Sequence, residues 1–165
     1  MKSIMLTAIL ATSALFSGFV SAEEPSEEAR RVGAYTQEIE AMRSILQTER
    51  KILVMREMAL TSEEAEVFWP LYDEYNAAKK EVGDLRVAVI AEYAANYGSM
   101  TDEIAADLLK DSLKFETSQI KLKKKYVRKF RKILSDVKVA RYFQLENKLD
   151  AIVDYDLAAQ IPLVD

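Results

Sequence analysis

The sequence predicts an all-α protein, an elongated antiparallel helical hairpin of about four helices that is kinked at Pro70. Three observations lead to this fold class. Apolar residues recur at three- and four-residue spacing along most of the chain, the two-residue alternation of strands is absent, and the few glycines and prolines lie mostly near the ends of periodic runs. Half of the 165 residues are hydrophobic and 30% are charged, which suits one ordinary domain.

The first 22 residues are typical of a secretory signal peptide. Lys2 gives a short positive start, an apolar run follows to Val20, and small residues precede the expected cleavage after Ala22. The apolar run is shorter than the roughly 20 residues of a membrane-spanning helix and contains hydroxyl groups. We therefore expect an exported mature chain, residues 23–165, that forms a single helical domain.

The composition of the mature chain excludes several classes of site. Without Lys2 it has 22 basic and 27 acidic residues, a net charge of −5, and the sequence contains neither cysteine nor histidine. Ser-His and Cys-His catalytic pairs, a lipid-bearing N-terminal cysteine and the best zinc and copper ligands are therefore ruled out. No calcium-loop spacing or glycine-rich phosphate loop occurs. These absences predict a non-enzymatic protein without a cofactor.

The first two helices are predicted on either side of Leu60. The first is expected from about Ser26 to Met58. Thr61 and Glu64 then have the three-residue spacing of a capping box, which marks the start of the second helix. That helix is expected to continue to about Tyr97, because its apolar residues alternate at four and three residues like a coiled-coil seam. The residues of the seam are Phe68, Leu71, Tyr75, Ala78, Val82, Leu85 and Val89.

Pro70 lies inside the second predicted helix, beside the single tryptophan of the chain. The apolar phase continues on both sides, so the proline is expected to bend the helix between Glu66 and Leu71 and not to end it. A proline inside a helix costs about 3 kcal/mol relative to alanine. Its aromatic neighbours can offset this cost either as a structural core or as a functional surface: Phe68, Trp69, Tyr72 and Tyr75.

Two further helices complete the predicted fold. Gly98 suits a left-handed end of the second helix, and Ser99 or Thr101 can cap a third helix that runs to about Ile133. Its apolar stripe is broad and has two rows: Leu113, Ile120, Val127 and Leu134, and Leu108, Phe115 and Leu122. A fourth helix is expected to start near Ser135 or Asp136 and to end at Ile161-Pro162.

The segment KLKKKYVRKFRK is the one strong basic run, and it contains Lys121, Lys124, Lys125, Arg128 and Arg131 as a candidate partner surface. The hairpin register about Ser99 places it beside the acidic start of the second helix, with Glu66, Asp73 and Glu74. Intramolecular pairing then accounts for part of its charge. A protein partner or an anionic membrane surface remains an alternative, whereas export and the negative net charge disfavour nucleic acid.

The stretches LTSEEAEVFWPLYDEY, from Leu60 to Tyr75, and ILSDVKVARYFQLENKLDAIV, from Ile133 to Val153, resemble the Spy/CpxP-like periplasmic proteins. Members of that family have two Leu-Thr-x-x-Gln motifs on either side of a helical hairpin. Leu60 and Thr61 match the first motif, with Glu64 in place of the glutamine. Leu134 and Ser135 stand at the second, with Lys138 in place of the glutamine. The resemblance covers about residues 60–163, and both substitutions indicate a divergent branch.

The resemblance implies a curved helical hairpin that often forms an antiparallel dimer, so a second copy of the chain is a candidate partner. It also implies a periplasmic, ATP-independent chaperone or an adaptor in the envelope-stress response, with unfolded or envelope proteins as partners. Two alternatives remain, a sensor or regulatory partner of one envelope protein and a carboxylate-based metal-binding protein. Metal-binding relatives are rich in histidine or methionine, and this chain has no histidine.

Overall fold

A computed structural model describes residues 44–164, and within that range every regular element is helical. The elements are α1 (44–58), α2 (Ser62–Asn96), a one-turn 3-10 helix (Tyr97–Ser99), α3 (Asp102–Phe130) and α4 (Asp136–Gln160). The all-α prediction with four helices is therefore confirmed for this part of the chain. The predicted signal peptide and cleavage site, residues 26–43 of the predicted first helix, and Asp165 lie outside the described residues.

Helices α2 and α3 form the antiparallel hairpin that the sequence predicts, and α4 returns along α2 in the same direction. Near one end of the hairpin, the rings of Tyr75 in α2 and Tyr126 in α3 lie 4.8 Å apart between centroids. Two contacts show that α4 is parallel to α2. Tyr142 near the start of α4 packs against Phe68 near the start of α2, and Pro162 after α4 accepts a hydrogen bond of 2.8 Å from the hydroxyl of Tyr93 near the end of α2.

Helix α1 runs antiparallel to both α2 and α4. Its Lys51 ammonium lies 2.9 Å from the Asp73 carboxylate of α2, and Glu57 near its end meets Arg141 near the start of α4. Consecutive helices are therefore antiparallel throughout residues 44–164. The α1–α2 and α3–α4 connections lie at one end of this bundle, and the α2–α3 turn lies at the other.

Side-chain caps begin the three helices whose start is described. Thr61 and Glu64 form the predicted capping box, in which the Thr61 N–H donates to Glu64 Oε2 at 2.9 Å and the Glu64 N–H donates to Thr61 Oγ1 at 3.3 Å. Thr101 caps α3 through the Ile104 N–H, and Ser135 caps α4 through the Lys138 N–H. Since each cap satisfies a backbone donor that the helix leaves unpaired, these residues fix where the helices begin.

Two predicted helix ends are wrong. Gly98 does not adopt a left-handed conformation, because α2 passes directly into the 3-10 turn and its final residues keep negative φ. Helix α3 ends at Phe130 and not near Ile133. The Phe130 carbonyl accepts from the N–H groups of both Ile133 and Leu134, at 3.0 and 2.9 Å, which closes a turn and brings Leu134 into the core.

The left-handed position that the sequence analysis missed is Ala59, with φ at 46° between α1 and α2. A residue with a Cβ pays about 1–2 kcal/mol in that region, whereas glycine does not. Replacing Ala59 with glycine would remove this cost, but the greater freedom of glycine in the unfolded chain offsets part of the gain in stability. We therefore expect Ala59→Gly to raise the unfolding free energy by about 0.5–1 kcal/mol, measured by urea denaturation.

The control for Ala59→Gly is Ala88→Gly, at an exposed position inside α2. There, the same substitution should lower the unfolding free energy by about 1 kcal/mol. Equal destabilisation by the two variants would contradict the assignment of a strained backbone at Ala59.

The core lies at the end of the bundle where all four helices meet. Its residues come from α1, α2, α3, the following turn and α4, and most of them are aromatic: Val54, Met58, Phe68, Tyr72, Tyr75, Tyr126, Phe130, Leu134, Val139, Tyr142 and Phe143. Large rings bury much apolar area per residue and favour tilted or edge-to-face contacts. This aromatic core fixes the helices at one end and leaves the α2–α3 end to a separate set of contacts.

Candidate binding surfaces and a buried charge network

The aromatic cluster around Pro70 belongs mainly to this core. Phe68 is fully buried, and its ring centroid lies 5.3 Å from that of Tyr142 and 5.5 Å from that of Phe130. Tyr72 and Tyr75 are also buried. Pro70 itself is exposed and lies within an uninterrupted α2, so the predicted continuity of the helix is confirmed. The side chains next to the proline thus pack α2 against α3 and α4.

Trp69 is the member of this cluster that reaches the surface. It is half-buried, and the Lys51 ammonium lies 5.3 Å from its ring centroid, a cation–π distance. Lys51 also pairs with Asp73 at 2.9 Å. Asp73 therefore pairs with α1, and not with the basic stretch that the predicted register places beside it. The reason is that α1 occupies the side of α2 on which Asp73 lies.

Glu74 provides the predicted contact between the acidic start of α2 and the basic stretch of α3. Its Oε1 atom accepts from Lys129 Nζ at 2.6 Å and from the Tyr126 hydroxyl at 3.0 Å. The bond from Lys129, followed by that from Tyr126, holds the pKa of the Glu74 carboxyl below its usual value. Exposed pairs of this kind contribute little to stability, so they specify register more than stability.

The candidate partner surface is only partly used by contacts within the molecule. Arg131 binds Asp136 through two hydrogen bonds of 2.7 and 2.9 Å across the α3–α4 turn. The side chains of Lys121, Lys124, Lys125 and Arg128 are exposed along α3. Lys124 and Arg128 also line a shallow apolar depression with Ile120 and Val127. This part of the basic stretch is accessible to a partner.

Glu64 and Lys138, which stand at the glutamine positions in the predicted resemblance, contact each other. Lys138 Nζ donates to Glu64 Oε2, and this bond is the largest cause of a lowered pKa at Glu64. Because Glu64 also closes the capping box with Thr61, one carboxylate joins the start of α2 to the start of α4. The two motif-like segments thus lie side by side, with an ion pair at the positions of the two glutamines.

A buried charge network joins α1, α2 and α4 next to the aromatic core. Glu146 is fully buried, and its Oε2 atom lies 2.7 Å from Lys79 Nζ and 3.1 Å from Arg50 Nη1. The same two cations also reach Asp150 Oδ1, at 3.0 and 2.9 Å. Two cations and two carboxylates therefore balance in charge, as groups removed from water require.

The environment of this network shifts the pKa values of its neighbours. Burial opposes ionisation of Asp150, but the charges of Lys79 and Arg50 outweigh it and hold the pKa of that carboxyl below its usual value. Burial, and next the charge of Glu146, raise the pKa of the Tyr72 hydroxyl to about 12 and that of Tyr142 further. These tyrosines are therefore neutral hydroxyl groups around a charged centre.

This network was not predicted from the sequence, although the spacing of residues in α4 indicates part of it. Glu146 and Asp150 continue the buried phase of α4, since they follow Val139, Tyr142 and Phe143 at three- and four-residue spacing. Carboxylates at core-facing positions imply buried cations on neighbouring helices. Arg50 and Lys79 could not be identified as those cations from sequence, because many exposed basic residues share their spacing.

The two predicted apolar rows of α3 separate only in part, since Leu113 and Ile120 of the first row are exposed but Val127 is half-buried and Leu134 is buried. Leu108 and Phe115 pack inward and are 7% and 8% exposed. Leu109, Leu113 and Ile120, here called the outer row, are 63%, 54% and 56% exposed. Exposed apolar groups aligned on one helix face are typical of interaction surfaces. The outer row therefore forms an accessible apolar stripe bordered by charged residues.

An apolar pocket of about 500 Å³ lies at the other end of the bundle from the aromatic core. It is bordered by α2, α3 and the segment after α4, and the described residues around it include Ile90, Met100, Leu108 and Phe115. Its volume is in the range of about 300–1,000 Å³ that is usual for ligand sites. The pocket does not overlap the aromatic core or the charge network.

Residues 44–164 contain neither a candidate metal site nor a candidate membrane span. No three acidic side chains in that range lie close enough together to hold a metal ion. No helix in the same part of the chain is both long and apolar enough to cross a membrane.

No protein-family model, curated protein or solved structure matches this chain. The resemblance to Spy/CpxP-like proteins therefore stays a prediction that rests on the residues at Leu60–Tyr75 and Ile133–Val153.

Proposed function

We propose that the protein is a periplasmic, non-enzymatic binding protein that holds partly unfolded envelope proteins without ATP. The observation that carries this proposal is the outer row of α3. Its three side chains are each more than half exposed, although the opposite face of the same helix is buried. An apolar stripe of this kind can bind exposed apolar segments of many proteins, because hydrophobic association requires no particular sequence.

Charged side chains next to the outer row support the same function. Lys121, Lys124 and Arg128 are exposed along the C-terminal half of α3, and Asp107 and Glu116 along its N-terminal half. A charged border keeps an exposed apolar stripe soluble and limits self-association. It also permits binding of client segments that carry either sign of charge. The chain has no phosphate-binding loop, which agrees with a nucleotide-independent activity.

The test is suppression of client aggregation by the purified mature protein in the absence of nucleotide, followed by light scattering. We expect the wild type to suppress aggregation and the double variant Leu113→Gln, Ile120→Gln to lose most of this activity. Val137→Gln is the matched control, since Val137 is 79% exposed on α4, outside the outer row. Equal activity of all three proteins would contradict the role of the outer row. Absence of activity in the wild type would contradict the proposed function.

A change in self-association would offer a different explanation for loss of activity in the double variant. Sedimentation velocity of the wild type and the double variant separates the two cases. If only the wild type is a dimer, the outer row is an interface between two copies and not a surface for clients.

Pro70→Ala separates stability from function at the predicted bend. Alanine restores a backbone N–H for the Glu66 carbonyl, so the unfolding free energy should rise by up to about 3 kcal/mol. If the bend positions the client surface, suppression of aggregation should fall although the protein is more stable. Melting temperature and light scattering on the same variant test both effects. An unchanged or lower stability would contradict the propensity argument, and unchanged activity would contradict a role for the bend.

A further inference from the structure

The pocket at the α2–α3 end has an apolar interior and a pair of charged groups at its side. Arg86 and Glu116 are the charged residues among those described around it. Arg86 is already engaged, since its Nη1 atom lies 2.5 Å from the Asp154 carboxylate and its guanidinium lies 5.6 Å from the Phe115 ring. Its positive charge is therefore balanced within the molecule, and Glu116 leaves the pocket side with net negative charge.

The chain segments that border the pocket also carry a net negative charge. Residues 86–116 and 154–164 contain eight acidic and three basic residues, a net charge of −5. The acidic residues are Glu92, Asp102, Glu103, Asp107, Asp111, Glu116, Asp154 and Asp156, and the basic ones are Arg86, Lys110 and Lys114. An apolar ligand with an anionic group would be repelled here, whereas one with flanking cations would be attracted.

The segment that follows α4 forms one border of the pocket. The Tyr93 hydroxyl donates to the Pro162 carbonyl at 2.8 Å, and Ile161 and Val164 face the pocket. Leu163, between them, is 87% exposed.

We propose that this pocket binds short apolar segments of unfolded polypeptides that are flanked by lysine or arginine. The proposal rests on the proposed function, and it assigns a client chemistry to a second surface, which adjoins the outer row at Leu109. The apolar interior would bury large client side chains, and the acidic surroundings would attract the flanking cations. The basic stretch 121–132 has eight basic residues and no acidic one. It lies elsewhere on the bundle, so it does not compete with the client's cations for the acidic groups.

Fluorescence anisotropy with three labelled synthetic peptides tests the proposal. Two of the peptides have a Leu-Phe-Leu centre, flanked on each side by two lysines in one and by two glutamates in the other. The third peptide has a Ser-Gly-Ser centre between the same lysines. We expect the lysine-flanked apolar peptide to bind at least about tenfold more tightly than the glutamate-flanked one, because like charges oppose association. The Ser-Gly-Ser peptide should bind weakly, since it lacks apolar side chains. Equal binding of all three peptides would overturn the proposal.

Two pairs of substitutions locate the binding. Ala105→Leu with Ser112→Leu places larger side chains at the pocket and should weaken binding of the lysine-flanked peptide several-fold. Asp107→Lys with Glu116→Lys changes the acidic surroundings and should remove most of the preference for lysine over glutamate flanks. Both pairs lie on half-buried or exposed positions, and circular dichroism with thermal melting verifies their fold. Unchanged peptide binding in folded variants of both pairs would contradict the pocket as the site.

The outcomes separate this inference from the proposed function. If aggregation suppression persists while the pocket variants bind peptide like the wild type, the pocket inference is wrong and the proposed function stands. If the wild type binds the lysine-flanked peptide at the pocket but does not suppress aggregation, the pocket inference stands and the proposed function is wrong. If the pocket variants convert a wild-type dimer to a monomer in sedimentation, the occupant is a second copy of the chain, and the client proposal is overturned.

Discussion

Replacing Glu146 with glutamine is expected to lower the unfolding free energy by about 3–5 kcal/mol, because removing one partner from a buried ion pair leaves charge without compensation. Glu146 is fully buried and joins Arg50 of α1 to Lys79 of α2 through one carboxylate oxygen. Without its charge, two cations share the single carboxylate of Asp150. Urea denaturation followed by circular dichroism at neutral pH measures the loss.

The control for this prediction removes the whole network. Replacing Arg50 and Lys79 with methionine and Glu146 and Asp150 with leucine leaves no charge behind. Such replacements of buried ion pairs are often neutral or stabilising. The fourfold variant should therefore recover most of the stability that Glu146→Gln loses. A loss below about 1 kcal/mol for the single variant, typical of a surface pair, would show that the network does not hold α1 in place.

Phe68→Ala is expected to lower the unfolding free energy by a similar amount, about 3–5 kcal/mol, which is the usual cost of truncating a buried phenylalanine. Phe68 is fully buried between rings of three helices, with Trp69 and Tyr72 on its own helix, Phe130 on α3 and Tyr142 on α4. Rigid rings on all sides cannot move far to fill the cavity. Denaturation in urea should show a lower midpoint with an unchanged slope.

The adjacent Val67 provides the control for Phe68. Its side chain is 46% exposed, so Val67→Ala should change the unfolding free energy by no more than about 0.5 kcal/mol. If Phe68→Ala costs no more than Val67→Ala, the aromatic core does not hold the helices together as described.

The helices and most of their starting points were predictable because local chemistry determines them. Thr61 with Glu64, Thr101 and Ser135 are side chains that cap a helix wherever it forms, and all three do so here. Helix ends were less predictable. The left-handed residue is Ala59 and not Gly98. The short α1–α2 connection imposes this conformation on alanine, which rarely adopts positive φ and so gives no sequence signal for it.

The candidate surfaces were less predictable than the helices, since they depend on which helix faces meet. The sequence shows two apolar rows on α3, but only packing against α2 and α4 determines that Phe115 is buried and Ile120 is exposed. Glu146 illustrates the same limit for charge. A glutamate is usually solvated, so its burial becomes predictable only when the positions of Arg50 and Lys79 are known.

Equilibrium binding to a permanently unfolded client tests the proposed function most directly. A labelled protein that cannot fold is titrated with the purified mature chain, and fluorescence anisotropy is recorded with and without ATP. The proposed function predicts saturable binding of the unfolded client, no effect of ATP, weaker binding by Leu113→Gln with Ile120→Gln, and no binding of the folded parent protein from which the client is derived. No binding of the unfolded client, or equal binding of the folded parent protein, would contradict it.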